Sequence, residues 1–307
     1  MRFLDVGLRV GHYNGAMQRR LLIVGCGDVV ERALPWLTRR FRVYAICRSA
    51  ERATQLRAQG VLPVRADLDQ PTSLQRLAGL ADVVLHSAPP ATDQASDPRT
   101  HRLLAALARG AILPRSLVYI STTGVYGDCA GAYLDETRPC RPESDRAQRR
   151  VAAEADLRAF GRRSQCRVSV LRAPGIYAAN RLPLERVRKA TPALEADSDG
   201  YSNHIHADDL AMACCLALFR GKPGRVYHAC DDSEWKMGEW FDKVADAHGL
   251  DRPPRLPYAQ MQAQASPALW SFMRESRRLS NTRLKRELGL RLRYPTPDTL
   301  LDQLRSS

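Results

Sequence analysis

The sequence predicts an α/β fold, a doubly wound parallel sheet with a smaller C-terminal lobe. Three observations carry this expectation. Apolar runs of strand length recur through residues 20–171. Amphipathic stretches of helix length separate them. The first run, RLLIV, empties into a turn with two glycines, GCG, before the first such stretch. Continuous apolar strands alternating with helices mean a sheet covered on both faces, the habit of parallel sheets. Ligands in such folds sit outside the carboxyl ends of the strands.

Taken in order, strands are expected at 21–24, 42–46, 61–65, 83–86, 117–120 and 167–171. Helices are expected near 28–39, 50–59, 71–79, 98–109 and 145–160. Pro35 falls inside the first helix and predicts a kink. After residue 171 the rhythm breaks. Pro174, Pro183 and Pro192, with the polar run DSDGYSN (197–203), predict loops and short helices. A strand–helix–strand piece follows at 204–206, 208–219 and 225–228. Then come a helix over 236–248, a proline-rich link over 251–257 and a last helix after Pro297. The organisation read from this is a tail over 1–17, a sheet domain over 18–171 and a smaller lobe over 172–307. Residues 204–230 are expected to weave partly back into the first domain. Met17 is a second candidate start.

The 307 residues suffice for a large α/β domain with a lobe. The formal net charge of +14 raises nucleic acid as a partner. Only five of the 47 basic residues are lysine, however, and the arginines are scattered rather than gathered in one arm. Nucleic acid is therefore not expected, while attraction for phosphorylated or carboxylated small molecules is. No run approaches the roughly 20 apolar residues of a membrane helix, and the N-terminal residues lack the apolar core of a secretory signal. The eight cysteines include no CxxC pair. They read as reduced thiols of a cytoplasmic protein. No metal-ligand spacing stands out.

The turn after the first strand holds the first candidate site. Gly25 permits the tight turn, and Gly27 lets the backbone come close to a pyrophosphate at the positive end of the next helix. Cys26, Asp28 and Val29 complete the candidate cradle. Asp28 is a good helix cap but an awkward neighbour for an anion. The third glycine of such turns is replaced by Val30, whose bulk costs about 1–3 kcal/mol unless the helix moves outward. The second strand ends in YAICRS. Arg48 and Ser49 stand where an acidic residue would bind a ribose 2′-hydroxyl, and a guanidinium there suits a 2′-phosphate. NADP is thus expected, with NAD the alternative. Asp67 and Leu68 end the third strand, where Asp67 either meets an adenine edge or caps the next helix.

At STTGVYGD (121–128) the pattern becomes specific. It resembles the (S/T)xxVYG segment of the extended short-chain dehydrogenases, the NAD(P)-dependent epimerase/dehydratase family. LHSAPP (85–90), LRAPGIY (171–177), HIHADDLAMA (204–213), VYHACDD (226–232) and RRLSNTRLKRELGLRLRYPT (277–296) resemble further segments of that family, in order, from about residue 20 to the end. The resemblance implies a Rossmann domain, a bound dinucleotide and a small substrate lobe. It places Ser87, Ala88 and Pro89 beside the nicotinamide. It also implies a small-molecule substrate, typically a sugar nucleotide, and pairing of two chains through helices corresponding to 98–109 and 145–160. The segment 178–203 is short, which leaves a smaller substrate as an alternative.

The family's chemistry uses a tyrosine and a lysine, YxxxK, with a Ser or Thr hydroxyl. Thr122 matches the hydroxyl. Aligned by the AAE end of the helix (152–154), the tyrosine position falls on Arg146 and the lysine position on Arg150. Arg150 suits ribose or phosphate oxygens. Arg146 stays protonated at any working pH and cannot replace a phenol, but it suits a carbonyl or oxyanion. Tyr133 is the expected stand-in for the phenol; Tyr126 is read as packing, and His86, His204 and His206 as structural. The main reading is an NAD(P)-dependent oxidoreductase or epimerase with an altered acid–base set. The alternatives are a redox-inert dinucleotide sensor or scaffold, and a chain whose cofactor site has decayed.

Overall fold

The computed structural model describes residues 18–92 and 96–305, so the tail expected over 1–17 lies outside the described residues. β1 (Arg20–Val24), β2 (Arg42–Cys47) and β3 (Leu62–Arg65) alternate with α1 (Asp28–Leu37) and α2 (Ala50–Ala58). β4 (Val83–His86), α3 (Pro98–Leu107), β5 (Ser116–Thr122), a short β6 (Tyr133–Leu134), α4 (Asp145–Ser164) and β7 (Arg167–Ala173) follow. The chain then leaves through β8 (Gly175–Tyr177), α5 (Leu184–Arg188), β9 (Ala193–Leu194), β10 (Tyr201–Ser202), β11 (His204–His206) and α6 (Ala207–Arg220). It returns as β12 (Arg225–His228). The main sheet is parallel throughout, in the order β3–β2–β1–β4–β5–β7–β12. The order reverses between β1 and β4, which opens the crevice where such sheets take their ligands.

The strands are apolar on both sides because both faces are covered. In β1, Leu21 and Ile23 join one cluster with α1 and α6, while Leu22 and Val24 join another with α3 and α4. β5 divides the same way, Val118 and Ile120 against Leu117 and Tyr119. That is the two-residue period of a strand read from its middle.

The remaining elements are β13 (Trp235–Lys236), α7 (Met237–Ala247), β14 (Arg255–Leu256), α8 (Tyr258–Gln264), α9 (Pro267–Met273), β15 (Arg278–Leu279), α10 (Thr282–Leu288) and α11 (Asp298–Arg305). Tyr177, Trp240, Phe241, Val244, Leu300 and Leu301 share a separate core. β8 pairs with β11, β9 with β14 and β6 with β15, all parallel.

One expected helix differs. Residues 71–77 form a 3₁₀ helix, Pro71–Leu77. The Ser73 hydroxyl donates to Gln70 O at 2.7 Å and its oxygen accepts from Asp67 N at 2.9 Å, which draws the chain tight at its start. Pro35 sits in the last turn of α1, where its missing N–H costs only the bond to Glu31.

Candidate functional site

A cleft of about 810 Å³ runs along the carboxyl ends of the strands, across the β1–β4 switch point. Its first half is lined by the β1–α1 turn and by the exits of β2, β3 and β4. Its second half is lined by the exit of β5, the first turns of α4, the exit of β7 and residues of the C-terminal segment.

Gly25 and Gly27 do different work. Gly25 has φ +91°, and a Cβ there would lie 2.5 Å from the Ala88 backbone nitrogen. The turn is pressed against the β4 exit, and only glycine fits. Gly27 has an ordinary φ of −101° and open space where a Cβ would go. Nothing in the fold requires glycine at that position. Gly27 caps α1 with no side-chain hydrogen bond to the first turn, so the helix presents bare N–H groups to the cleft. Clear space before an uncapped helix N-terminus fits a diphosphate.

The expected obstacles are both absorbed. Val30 is 2% exposed and sits in the cluster that holds the small residues Ala211, Ala213 and Cys214 of α6. Asp28 does not cap. It bonds Arg32 and, at 3.3 Å, Arg181. Burial opposes its ionisation, but those partners outweigh burial and hold its carboxyl below the usual range. Arg32 also donates to Asp208 and Asn180, both at 2.8 Å. Cys26 lines the cleft. Its carbonyl accepts from Arg52 at 2.7 Å, and burial, opposed by Arg52, pushes its thiol up to about 11.

Val29, Arg48, Asp67, Leu68, Ser87, Ala88 and Pro89 line the cleft, as does Arg52, which the sequence reading missed. Asp67 caps no α-helix; its Oδ1 accepts from Asp69 N at 3.0 Å. Ser49 is not among the cleft residues. It accepts from Arg52 N at 3.1 Å and so caps α2.

In the second half, Thr122, Arg146 and Arg150, the positions the family resemblance points to, all line the cleft. Thr122 ends β5, and its Oγ1 accepts from Gly124 N at 3.3 Å. That leaves the hydroxyl proton free to donate. Arg150 is anchored inward, with Nη1 donating to Tyr119 OH at 2.8 Å and to Ile120 O at 2.9 Å. The buried phenol of Tyr119 is pushed up to about 12 by desolvation, against the pull of Arg150. Arg146, on the first turn of α4, lays its guanidinium 4.0 Å from the centre of the Phe272 ring.

Tyr133 does not join them. It is 57% exposed on β6 and lies outside the cleft. β6 pairs with β15 and buries Leu134, so alternation sends Tyr133 the other way. Tyr126 is buried and its hydroxyl is consumed, 2.7 Å from Arg172 Nη1 and 2.5 Å from His228 Nε2. Arg172 is itself locked to Glu154 at 2.7 Å beneath the site. His86, His204 and His206 are buried. Among the cleft residues described, the one phenol is Tyr201, and Asn203, Glu275 and Arg277 lie in the same half. Tyr201 falls in DSDGYSN, read from sequence as a plain loop. The polarity of that run was its only signal.

No helix among the described residues is long and apolar enough to cross a membrane, and no cluster of His, Cys, Asp or Glu suits a metal.

Comparison with known proteins places this geometry. The human dTDP-D-glucose 4,6-dehydratase is 23% identical over 203 residues, which cover 52% of this chain and 57% of that protein. The chain thus spans little more than half the length of that curated relative. A functionally unknown conserved protein from Silicibacter pomeroyi superposes with a TM-score of 0.76 at 28% identity, covering 94% of this chain and 98% of that one. A double mutant of DesIV, a dTDP-glucose 4,6-dehydratase from Streptomyces venezuelae solved with NAD and DAU bound, has a TM-score of 0.74 at 21% identity, covering 93% and 96%. The model of the NAD dependent epimerase/dehydratase family matches residues 32–230, beginning just past the glycine turn. That match takes in well over half of the sequence, and the chain belongs to the NAD dependent epimerase/dehydratase family.

Proposed function

We propose that the chain binds NADP(H), with NAD(H) the weaker ligand, and interconverts a carbonyl and a hydroxyl on a small substrate without a Tyr–Lys pair. The observation that carries this is Gly27. It is spared by the backbone's own geometry, yet it keeps the space before α1 clear. Relatives in the same family support the cofactor class, since DesIV was solved with NAD bound.

The dinucleotide, when bound, supplies the hydride. The first-turn N–H groups of α1 hold its diphosphate. Arg48 would face the 2′-phosphate, since it stands where an acidic residue would take a ribose 2′-hydroxyl; Arg52 beside it is paired with Glu31. Ser87, Ala88 and Pro89 would line the nicotinamide, and Arg150 would hold ribose or substrate oxygen. Thr122 donates a hydrogen bond to the substrate oxygen, and Arg146 stabilises charge that develops there. Tyr201 takes the acid–base role first expected of Tyr133. Named relatives act on dTDP-glucose. Pockets of about 300–1,000 Å³ hold one drug-sized ligand, so 810 Å³ shared with a dinucleotide favours a smaller substrate.

Titration with NADPH and NADH tests the reading, followed by a panel of carbonyl compounds. Tighter binding of NADPH, reversed by Arg48→Glu, is expected. Equal affinities would remove the NADP assignment. NADPH that binds but is consumed with no member of the panel would favour the redox-inert sensor or scaffold, which the loss of YxxxK also supports.

A further inference from the structure

We infer that the second half of the cleft is an oxyanion subsite, in which Arg146 and Arg277 hold a carboxylate or phosphate carried by the substrate itself. This deepens the reading above and rests on it for the cofactor that would fill the first half.

Donors in this half of the cleft are left unmet. Three guanidinium groups, those of Arg146, Arg150 and Arg277, line this half of the cleft beside the carboxylate of Glu275. Arg150 has its Nη1 spoken for by Tyr119 and Ile120, and its other donors are those assigned above to ribose or substrate oxygen. Glu275 is spoken for as well, since its Oε2 accepts from Arg277 Nη2 at 2.7 Å. Arg277 is 9% exposed and gives Nη1 to Gly127 O at 2.6 Å, but its Nε is buried with no hydrogen-bond partner among the described residues. A buried donor left unmade is costly. Arg146 has neither an ion pair nor a hydrogen bond with any described residue; it rests only on the Phe272 ring. Desolvation lowers its pKa, and the charges of Arg150, Arg149 and Arg277 lower it further against the single pull of Glu275.

Guanidinium is donor-only and cannot shed its proton, so its complement is an acceptor-only group. A neutral sugar ring offers only hydroxyls, which leave the charge of an unpaired guanidinium uncompensated. The phosphates of the dinucleotide are assigned to the other half, at the α1 N-terminus and at Arg48. The anion therefore belongs to the second ligand, close to Thr122, where the reacting carbonyl would lie.

Calorimetric titration of the full chain separates this inference from the cofactor reading. NADPH is titrated alone, and that curve judges the dinucleotide reading. Oxalate, inorganic phosphate and uncharged oxamide are then titrated with and without NADPH. At least one anion is expected to bind and oxamide is not; oxalate against phosphate identifies the class. Arg146→Gln is expected to weaken the anion about tenfold or more, the scale of a lost charge-assisted bond, and Arg146→Lys to restore part of it. NADPH affinity stays unchanged in both variants. Arg146 is on the surface, so both variants should fold, which thermal melts will verify. Binding of neither anion in either state, or undiminished binding by Arg146→Gln, would overturn the subsite even where NADPH binds well.

Discussion

The two halves of the cleft are built from different material. The half proposed for the dinucleotide is made largely of backbone: a turn forced by Gly25, a space kept by Gly27 and a row of bare N–H groups. The half proposed for the chemistry is made of side chains: Thr122, Arg146, Arg150, Tyr201 and Arg277. A backbone cradle tolerates Val30 and Asp28 because neither removes an N–H. A catalytic set has no such tolerance, since one exchange of phenol for guanidinium changes what the site does. On the proposed reading, this difference lets a chain keep its fold and cradle while its chemistry changes.

Four experiments test this contrast. The largest effect is expected from Gly25→Val, which meets both a positive φ and the Ala88 backbone. Stability should fall by about 3 kcal/mol or more in urea denaturation, and dinucleotide binding should vanish with it. If the variant binds normally, the cradle does not depend on that turn. Thr122→Ala should cut turnover more than about tenfold, the low end of positioned acid–base effects, with NADPH affinity unchanged. Equal losses of affinity would place Thr122 in the wrong half.

Gly27→Ala gives the sharpest test of the pair. Its methyl group has room in the protein alone, so stability should move by less than about 0.5 kcal/mol, as for ordinary exposed sites. Dinucleotide affinity should nevertheless fall about tenfold, since the methyl occupies the ligand's space. A variant that binds as the wild type does would show the space to be idle.

The smallest effect concerns pH. Burial holds the imidazole of His204 down to about 3. The unfolded chain takes up a proton near the ordinary histidine value of about 6.5, while the folded chain refuses it until pH is far lower. Stability is therefore complete above that value and is lost as pH falls through the window. His204→Gln should flatten the slope between pH 4 and 6.5 by up to about 1 kcal/mol per unit, measured by denaturation across that range. An unchanged slope would mean that His204 is protonated in the native state.

The strands were legible in the sequence because burial on both faces leaves a run such as LLIV with no alternative. The glycine turn was legible for a related reason, since the backbone itself selects the residue at Gly25. Other positions were settled by partners far along the chain. Tyr133 was assigned to the site by proximity to VYG, but pairing with Arg278 sets its face. Ser49 looked like a ligand group and became a cap because Arg52 N lay three residues on. Tyr201 and Arg277 reach the cleft only because the polypeptide loops back across it, and local pattern carries no trace of such a return. Arg146 and Arg150 were found because helical spacing preserved an expected i, i+4 pair whose residue types had changed.

The edge strand β12 has one more consequence. It docks on β7 only after residues 174–224 have run out and come back. The excursion is thus stapled to the sheet at its entry and at its exit. A protease that nicked the connection between β9 and β10 would produce two pieces still clasped by β12 against β7 and by β8 against β11. During synthesis, conversely, six strands could assemble on the nascent chain while the seventh place stood empty, leaving a raw sheet margin until the ribosome had delivered residue 228.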